Sequence, residues 1–295
     1  MTTFLIEWKI LDLFEKIKSP FMDYLNYFLT TILGGITLVV IMFVTYWVIN
    51  KETGRRLGLG LVVSMSLNNL LKGLIMRKRP FEHAGKEYLR SLSDTSLSDG
   101  ATGSSFPSGH SQNAASLYSG LFINYKGKNL FIRILLISLI VIIALTRLYL
   151  GVHFPSDVIV GVTLGVLVTI GLNKLYDVLE EKVDIMFLVL AGIFLICLFF
   201  GLEKDGMKSI GMLEGYVVGN LLEKRFVKFN DTKNAKNKII RILVGIAVVG
   251  GFYLTYTFIP DPIHSNFAFV FVMHFLVAFG GFFLVPFIFN KIENK

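Results

Sequence analysis

The sequence is poor in charge and has almost no cysteine. Asp, Glu, Lys and Arg make up 17% of its 295 residues, against roughly a quarter in a soluble domain, too few to coat a water-exposed surface of this size. Cys197 is the only cysteine, so neither an intramolecular disulfide nor a multi-cysteine metal site can form. No Ser/Pro-rich linker and no internal repeat divides the chain, which argues against a string of modules. The net charge of +8 comes without any basic-aromatic module, and this excludes nucleic acid as the natural partner. The cations instead suit loops that hold topology against anionic lipid.

What is abundant is apolar. Hydrophobic residues are 54% of the chain and mean hydropathy is +0.64. They gather in long blocks such as Tyr27–Ile49 and Phe131–Leu145, near or above the roughly 20 residues a helix needs to cross a bilayer. The blocks lack the alternation of barrel strands, so they predict helices. The expected fold class is all-α, a polytopic membrane helical bundle. Nine spans are expected at about 27–49, 57–75, 107–124, 131–150, 154–174, 184–202, 208–222, 239–259 and 266–289. Basic residues after the first, third and seventh spans (Lys51, Arg55 and Arg56; Lys126, Lys128 and Arg133; the run from Lys224 to Arg241) put those loops in the cytoplasm.

Residues 1–20 do not read as a signal peptide, because Glu7, Asp12 and Glu15 break any apolar core. Ile6, Ile10, Leu13 and Ile17 recur at helical spacing, which predicts an interfacial amphipathic helix ended near Pro20. A helix packed on the bundle is the alternative.

Three polar segments fall where an idle membrane protein would have none. The first runs from Lys72 to Arg79-Pro80, at the end of the second span. The second, Phe106-Pro107-Ser108-Gly109-His110, opens the third span. The third, from Thr146-Arg147 through His153 to Asp157, joins the fourth and fifth. With alternating spans, all three reach one membrane face. Lys72, Arg79 and Arg147 are cations unfavourable beside hydrocarbon without a compensating anion, and Arg presents a planar fork suited to phosphate. Pro107 and Ser108 look like a helix start, where Gly109 and the helix dipole admit an anion. His153 and Asp157, four apart, would share a helix face, with the carboxylate holding the imidazole as nucleophile or base. His110 could protonate a leaving oxygen.

The ordered pattern Lys-x6-Arg-Pro, Pro-Ser-Gly-His, Arg-x5-His-x3-Asp resembles the type-2 phosphatidic acid phosphatase superfamily, over roughly residues 57–175. The resemblance implies a six-helix core with His153 as nucleophile through a phosphohistidine, His110 as proton donor and Asp157 as the group orienting His153. It implies phosphoryl binding by Lys72, Arg79, Ser108, Gly109 and Arg147, without metal or cofactor. Thr146 stands where the family usually has Ser, keeping a hydroxyl. About three further spans follow the core. The domain expectation is therefore an interfacial helix over 1–20, a phosphatase core over 21–202 and additional spans over 203–295.

The function so implied is hydrolysis of a lipid phosphate or diphosphate, with the site on the extracytoplasmic side of a multi-pass protein of the cytoplasmic membrane. The expected partners are the phosphorylated lipid and membrane lipids. The alternatives are a phosphotransferase using an acceptor other than water, and a lipid-binding or transport protein without catalysis. Outside the motifs, His83 lies near the catalytic face in a polar loop, Phe81 to Ser105, that could shape substrate entry or simply be mobile. His274 and Glu214 are intramembrane ionisable groups, Gly161 and Gly165 form a close-packing face, and His264 sits in a short outer loop.

Overall fold

The computed structural model describes residues 2–86, 103–198, 204–260, 263 and 266–293. Thr95 and most of the loop after Lys86, as well as His264, lie outside the described residues. Among the described residues the chain is helical throughout. The helices are α1 (Thr2–Glu15), α2 (Pro20–Gly34), α3 (Ile36–Val44), α4 (Lys51–Ile75), α5 (Gly109–Asn124), α6 (Leu130–Tyr149) and α7 (Pro155–Leu179). They continue with α8 (Val183–Cys197), α9 (Lys204–Leu222), α10 (Ala235–Gly245), α11 (Gly251–Phe258), α12 (Phe267–Phe279) and α13 (Val285–Glu293).

Several boundaries are written locally. Ser19 caps α2, its hydroxyl accepting from Met22 N, and Pro20 opens the helix with its φ preset. Asn129 caps α6 by accepting from Phe131 N, and Asn266 caps α12. Glu180, at φ 44°, divides the apolar stretch after Pro155 into α7 and α8.

The protein is a multi-pass integral membrane protein. Among the described residues, six segments are long and apolar enough to cross a bilayer: Pro20–Ile49, Lys51–Glu82, Leu130–Tyr149, Pro155–Cys197, Ala235–Phe258 and Phe267–Glu293. The expected spans at 154–174 and 184–202 both overlap the fourth of these, which runs from Pro155 to Cys197. Those at 107–124 and 208–222 are helices, α5 and α9, but are shorter or less apolar. Both are wrapped by protein, with Ser111, Gln112 and Ser116 buried on α5 and nearly every residue from Ser209 to Val217 buried on α9. A helix enclosed by other helices needs no lipid-facing surface, so its hydropathy falls. By contrast, α6 exposes Ile134, Ile137, Val141 and Leu145, a lipid-facing stripe.

The chain forms two compact units, Met1–Val39 with Leu70–Ile170 and Val40–Asn69 with Gly171–Lys295. In the first, α5 packs on α6 and α2, and α2 on α6. Gly161 and Gly165 of α7 press against α5: a Cβ added at Gly161 would stand 2.7 Å from Ser108 O, and one at Gly165 2.2 Å from Gln112 O. The expected close-packing face is thus real, and it is directed at the helix that opens on the Pro-Ser-Gly-His motif.

In the second unit α9 packs on α12, with Gly211 and Gly215 lying against the Phe271 and Phe275 backbones. Glu223, fully buried, accepts from Lys51 Nζ at 2.7 Å, from Arg55 and from Phe229 N at 3.0 Å. Arg241 forks onto Glu293 and also donates to the Trp47 carbonyl.

Candidate active site

All three motifs lie in the first unit. Ser108 occupies the N-cap position of α5, and its amide donates to the Asp157 carbonyl at 3.0 Å, tying the start of α5 to the first turn of α7. The Ser108 hydroxyl makes no capping hydrogen bond. Ser108 Oγ pairs with Ser111 Oγ at 2.9 Å, and Pro107 precedes the cap rather than starting the helix. Gly109 is the first helical residue, where exposed N–H groups and the dipole favour an anion.

His153, 2% exposed, lies before α7 rather than on it. The expected i, i+4 pairing on a shared helix face therefore has a different cause. The Asp157 carboxylate folds back over the helix start, Oδ2 accepting from Phe154 N at 2.8 Å. That places Oδ2 at 3.6 Å from His153 Nδ1. Ser105 mediates the gap: its Oγ stands 3.4 Å from Nδ1 and donates to Asp157 Oδ2. Across the ring, Nε2 is 3.3 Å from Arg79 Nη1. A guanidinium has no acceptor, so Nε2 offers its lone pair there and the ring proton belongs on Nδ1. Burial first, then the cations Arg79, Arg147 and Lys72, hold the imidazole well below its ordinary pKa. Both effects favour the neutral ring, with the Nε2 lone pair directed toward Arg79.

The cations are fixed from several elements. Arg79, 1% exposed, donates to the carbonyls of Gly103 (3.0 Å) and Val152 (2.9 Å), and its amide donates to Glu82 Oε2. Arg147, in the last turn of α6, donates from Nη1 to Thr30 Oγ1 of α2 at 3.0 Å. Its Nε is buried with no hydrogen-bond partner among the described residues. The hydroxyl of Thr146 turns back to the Ile143 carbonyl at 2.7 Å. Lys72 lies in the last turn of α4. His110, in the first turn of α5, feels the charges of Arg147, Lys72 and Arg79, and Gly34 of α2 lies beside it. A methyl at Gly34 would stand 3.6 Å from His110 Cδ2.

The structure brings the eight sequence-identified residues together and adds others. Ser105 and Asp157 act on one histidine nitrogen. Arg77 donates to Asp157 Oδ1, Ser156 Oγ and Glu7 Oε2, each at 2.7 Å. The one sequence signal for Arg77 is its place between Lys72 and Arg79; Glu7 and Ser105 carry none for this role. His83 packs edge-on against Trp8 at 5.3 Å and Phe154 at 5.9 Å, so it lines the wall beside the third motif.

Elsewhere, His274 Nδ1 faces the Val270 carbonyl at 2.8 Å, and Glu214 Oε1 is buried without a partner among the described residues. A polar cavity of about 390 Å³ in the second unit is lined by Glu52, Arg55, Arg56, Tyr176, Asp177 and Lys224 among others. It holds no histidine, and its cations are paired with Glu223, Asp177 and Asp184. No cluster of three or more metal-ligating side chains occurs among the described residues.

A family model described as PAP2 superfamily matches residues 53–180, and one described as PAP2 superfamily phosphatase, transmembrane extension, matches residues 207–295. The chain is similar to a lipid A 1-phosphatase of Rhizobium etli, 37% identical over 109 residues, covering 35% of this chain and 42% of that protein. It is also similar to phosphatidylglycerophosphatase B of Bacillus subtilis, 34% identical over 110 residues, 34% of this chain and 47% of the relative. A lipid A 4'-phosphatase of Bacteroides thetaiotaomicron is 28% identical over 169 residues, 54% of this chain and 72% of that protein. The chain thus spans less than half the length of the first two relatives. No solved structure matches it.

Proposed function

Because the chain belongs to the PAP2 superfamily, we propose that it is a membrane phosphatase acting on a lipid phosphate or diphosphate through a phosphohistidine, without metal. The observation that carries this is the convergence of Arg79, Arg147 and Lys72 on His153, with the buried Arg147 Nε left unpartnered among the described residues. An unpaired buried guanidinium nitrogen costs about 1–3 kcal/mol, and a phosphoryl oxygen would satisfy it. The names of the matched relatives, phosphatases of lipid A and of phosphatidylglycerophosphate, support a lipid phosphate as the substrate class.

In the reaction, Nε2 of His153 attacks phosphorus in line and the bond to the leaving oxygen breaks as His110 gives that oxygen a proton. The Nδ1 proton stays on the ring, its charge balanced by Asp157 through Ser105. Water then attacks the phosphohistidine, His110 taking its proton, the N–P bond breaks and phosphate departs. Lys72, Arg79 and Arg147, with the Ser108–Gly109 helix start, neutralise the equatorial oxygens, the task Mg²⁺ performs in many phosphoryl transfers. The same cations disfavour a divalent metal.

The basic loops support a site on the extracytoplasmic side of the cytoplasmic membrane. The proposed division remains an interfacial helix over 1–20, a phosphatase core over 21–202 and further spans over 203–295, supported by the separate match of residues 207–295.

The test is phosphate release by purified protein from phosphatidic acid, phosphatidylglycerophosphate, undecaprenyl diphosphate, lipid A and a sphingoid phosphate, in excess EDTA. At least one should be hydrolysed, with inhibition by orthovanadate, which mimics five-coordinate phosphorus. A strict requirement for added Mg²⁺ would overturn the metal-free site.

A further inference from the structure

We infer that Glu7 and Arg77 are positioning residues through which the N-terminal helix α1 sets the Asp157 carboxylate against His153; this rests on the phosphatase reading of the same site. None of the three motifs contains either residue as a matched position, yet both are tied to the site by short, directed bonds. Glu7 is 6% exposed, on a helix whose apolar spacing points to attachment at a surface. The face α1 turns inward carries Glu7, Trp8 and Leu11, while Leu5, Ile6 and Leu13 are exposed.

The connections form a chain of alternating charge. Glu7 Oε1 accepts from Ser156 N at 3.0 Å, holding the first turn of α7. Glu7 Oε2 accepts from Arg77 Nη2, and Arg77 Nη1 passes to Ser156 Oγ and Asp157 Oδ1, each at 2.7 Å. Asp157 Oδ2 in turn holds Ser105 and stands 3.6 Å from His153 Nδ1. The Arg77 guanidinium lies over the Phe154 ring at 4.1 Å, and Trp8 meets the same ring edge-on at 5.0 Å. Leu11 completes that contact. The plane of the fork is therefore set by packing, and its direction by two carboxylates.

Two buried carboxylates this near to each other are tolerated because the half-buried Arg77 cation lies between them. If Glu7 becomes Gln, one amide oxygen replaces two carboxylate oxygens, so Arg77 loses an ion pair and either Arg77 Nη2 or Ser156 N meets an NH₂ group in place of an acceptor. The Asp157 carboxylate then has one oxygen less firmly held while the other carries Ser105 and the histidine. The phosphate cradle, built from Lys72, Arg79 and Arg147, is not touched. This predicts a fall in kcat with little change in KM, since displacing a catalytic group by about 1 Å costs up to roughly 100-fold.

The experiment is steady-state hydrolysis of dioctanoyl phosphatidic acid, or of whichever lipid phosphate wild type cleaves, by full-length protein in detergent. Glu7→Gln and Arg77→Gln should each lower kcat about tenfold or more with KM within about twofold. The double variant should lose no more than the worse single one, because both break the same chain. Arg77→Lys keeps the charge without the fork and should retain an intermediate kcat. If either Gln variant fails to fold by size exclusion and thermal unfolding, Arg77→Lys decides, and wild-type kcat in it would overturn the inference. So would unchanged kcat in the folded Gln variants, a loss confined to KM, or losses that multiply in the double variant. Wild type that releases phosphate from no lipid phosphate would overturn the phosphatase reading and this inference together, an outcome distinct from active wild type with indifferent variants.

Discussion

At His153 two environments act on one ring. On the Nδ1 side Ser105 and Asp157 face the proton, and on the Nε2 side Arg79 faces the lone pair. Burial and the Arg79, Arg147 and Lys72 charges depress the pKa, so the neutral form, which the proposed mechanism needs as nucleophile, persists as pH falls through the ordinary histidine value of about 6.5. On the proposed mechanism, activity should be lost only when pH drops through the lowered value. Removing Arg79, the cation in contact with the ring, raises that value, so the acid limb of kcat/KM for Arg79→Gln should move to higher pH than in wild type. Comparing both proteins on one substrate cancels the substrate's own ionisation, and a limb that stays or moves down would contradict the argument. The task proposed for His110 is different, protonation of the leaving oxygen. His110→Ala should be slow on alkyl phosphates, by about 100-fold or more, and partly rescued by a substrate whose leaving group needs no proton. His153→Ala should be inactive on both, and equal rescue of the two variants would show the roles reversed.

At the scale of the elements, the contact of α5 with α7 decides whether the second and third motifs meet. Gly161 and Gly165 let the two backbones touch, and Ser108 N reaches the Asp157 carbonyl across that seam. Gly165→Ala drives a methyl into the Gln112 carbonyl and Ala115, and should destabilise by about 1–3 kcal/mol. Thermal unfolding in detergent measures this, and specific activity should fall as the motifs separate. Gly171→Ala, on the same helix with nothing within 4 Å, is the control and should leave both unchanged.

At the scale of the whole molecule, Lys72 and Arg79, if they bind phosphate as proposed, do not count toward topology, so orientation rests on the other basic loops. In a Cys197→Ser background, Thr95→Cys should react with a membrane-impermeant maleimide in intact cells. Lys128→Cys, exposed and clear of the Asn129 cap, should react only after permeabilisation. The reverse pattern would put the site in the cytoplasm. In the second unit, Glu223 is buried against Lys51 and Arg55. Glu223→Gln leaves those cations short of a counter-charge, and the expected loss is about 3 kcal/mol of stability, seen as a lower unfolding temperature.

The fold class and the eight motif residues are legible in the sequence because both depend on local chemistry. Apolar blocks of span length have only one low-energy form in lipid, and a phosphate cradle needs cations and a helix start wherever the chain supplies them. Hydropathy marks α5 and α9 less well than α6, because helices enclosed by protein are released from the need to be apolar. Nor does spacing reveal how His153 meets Asp157: four residues apart suggests one helix face, whereas the histidine precedes α7 and Ser105 closes the gap. Glu7 stands 149 residues from Ser156, Thr30 stands 117 residues from Arg147, and Ser105 stands 48 residues from His153, yet each pair meets in the site. Contacts across such separations exist only once the helices pack, and an ordinary Glu, Thr or Ser carries no local mark of the partner that packing will bring to it.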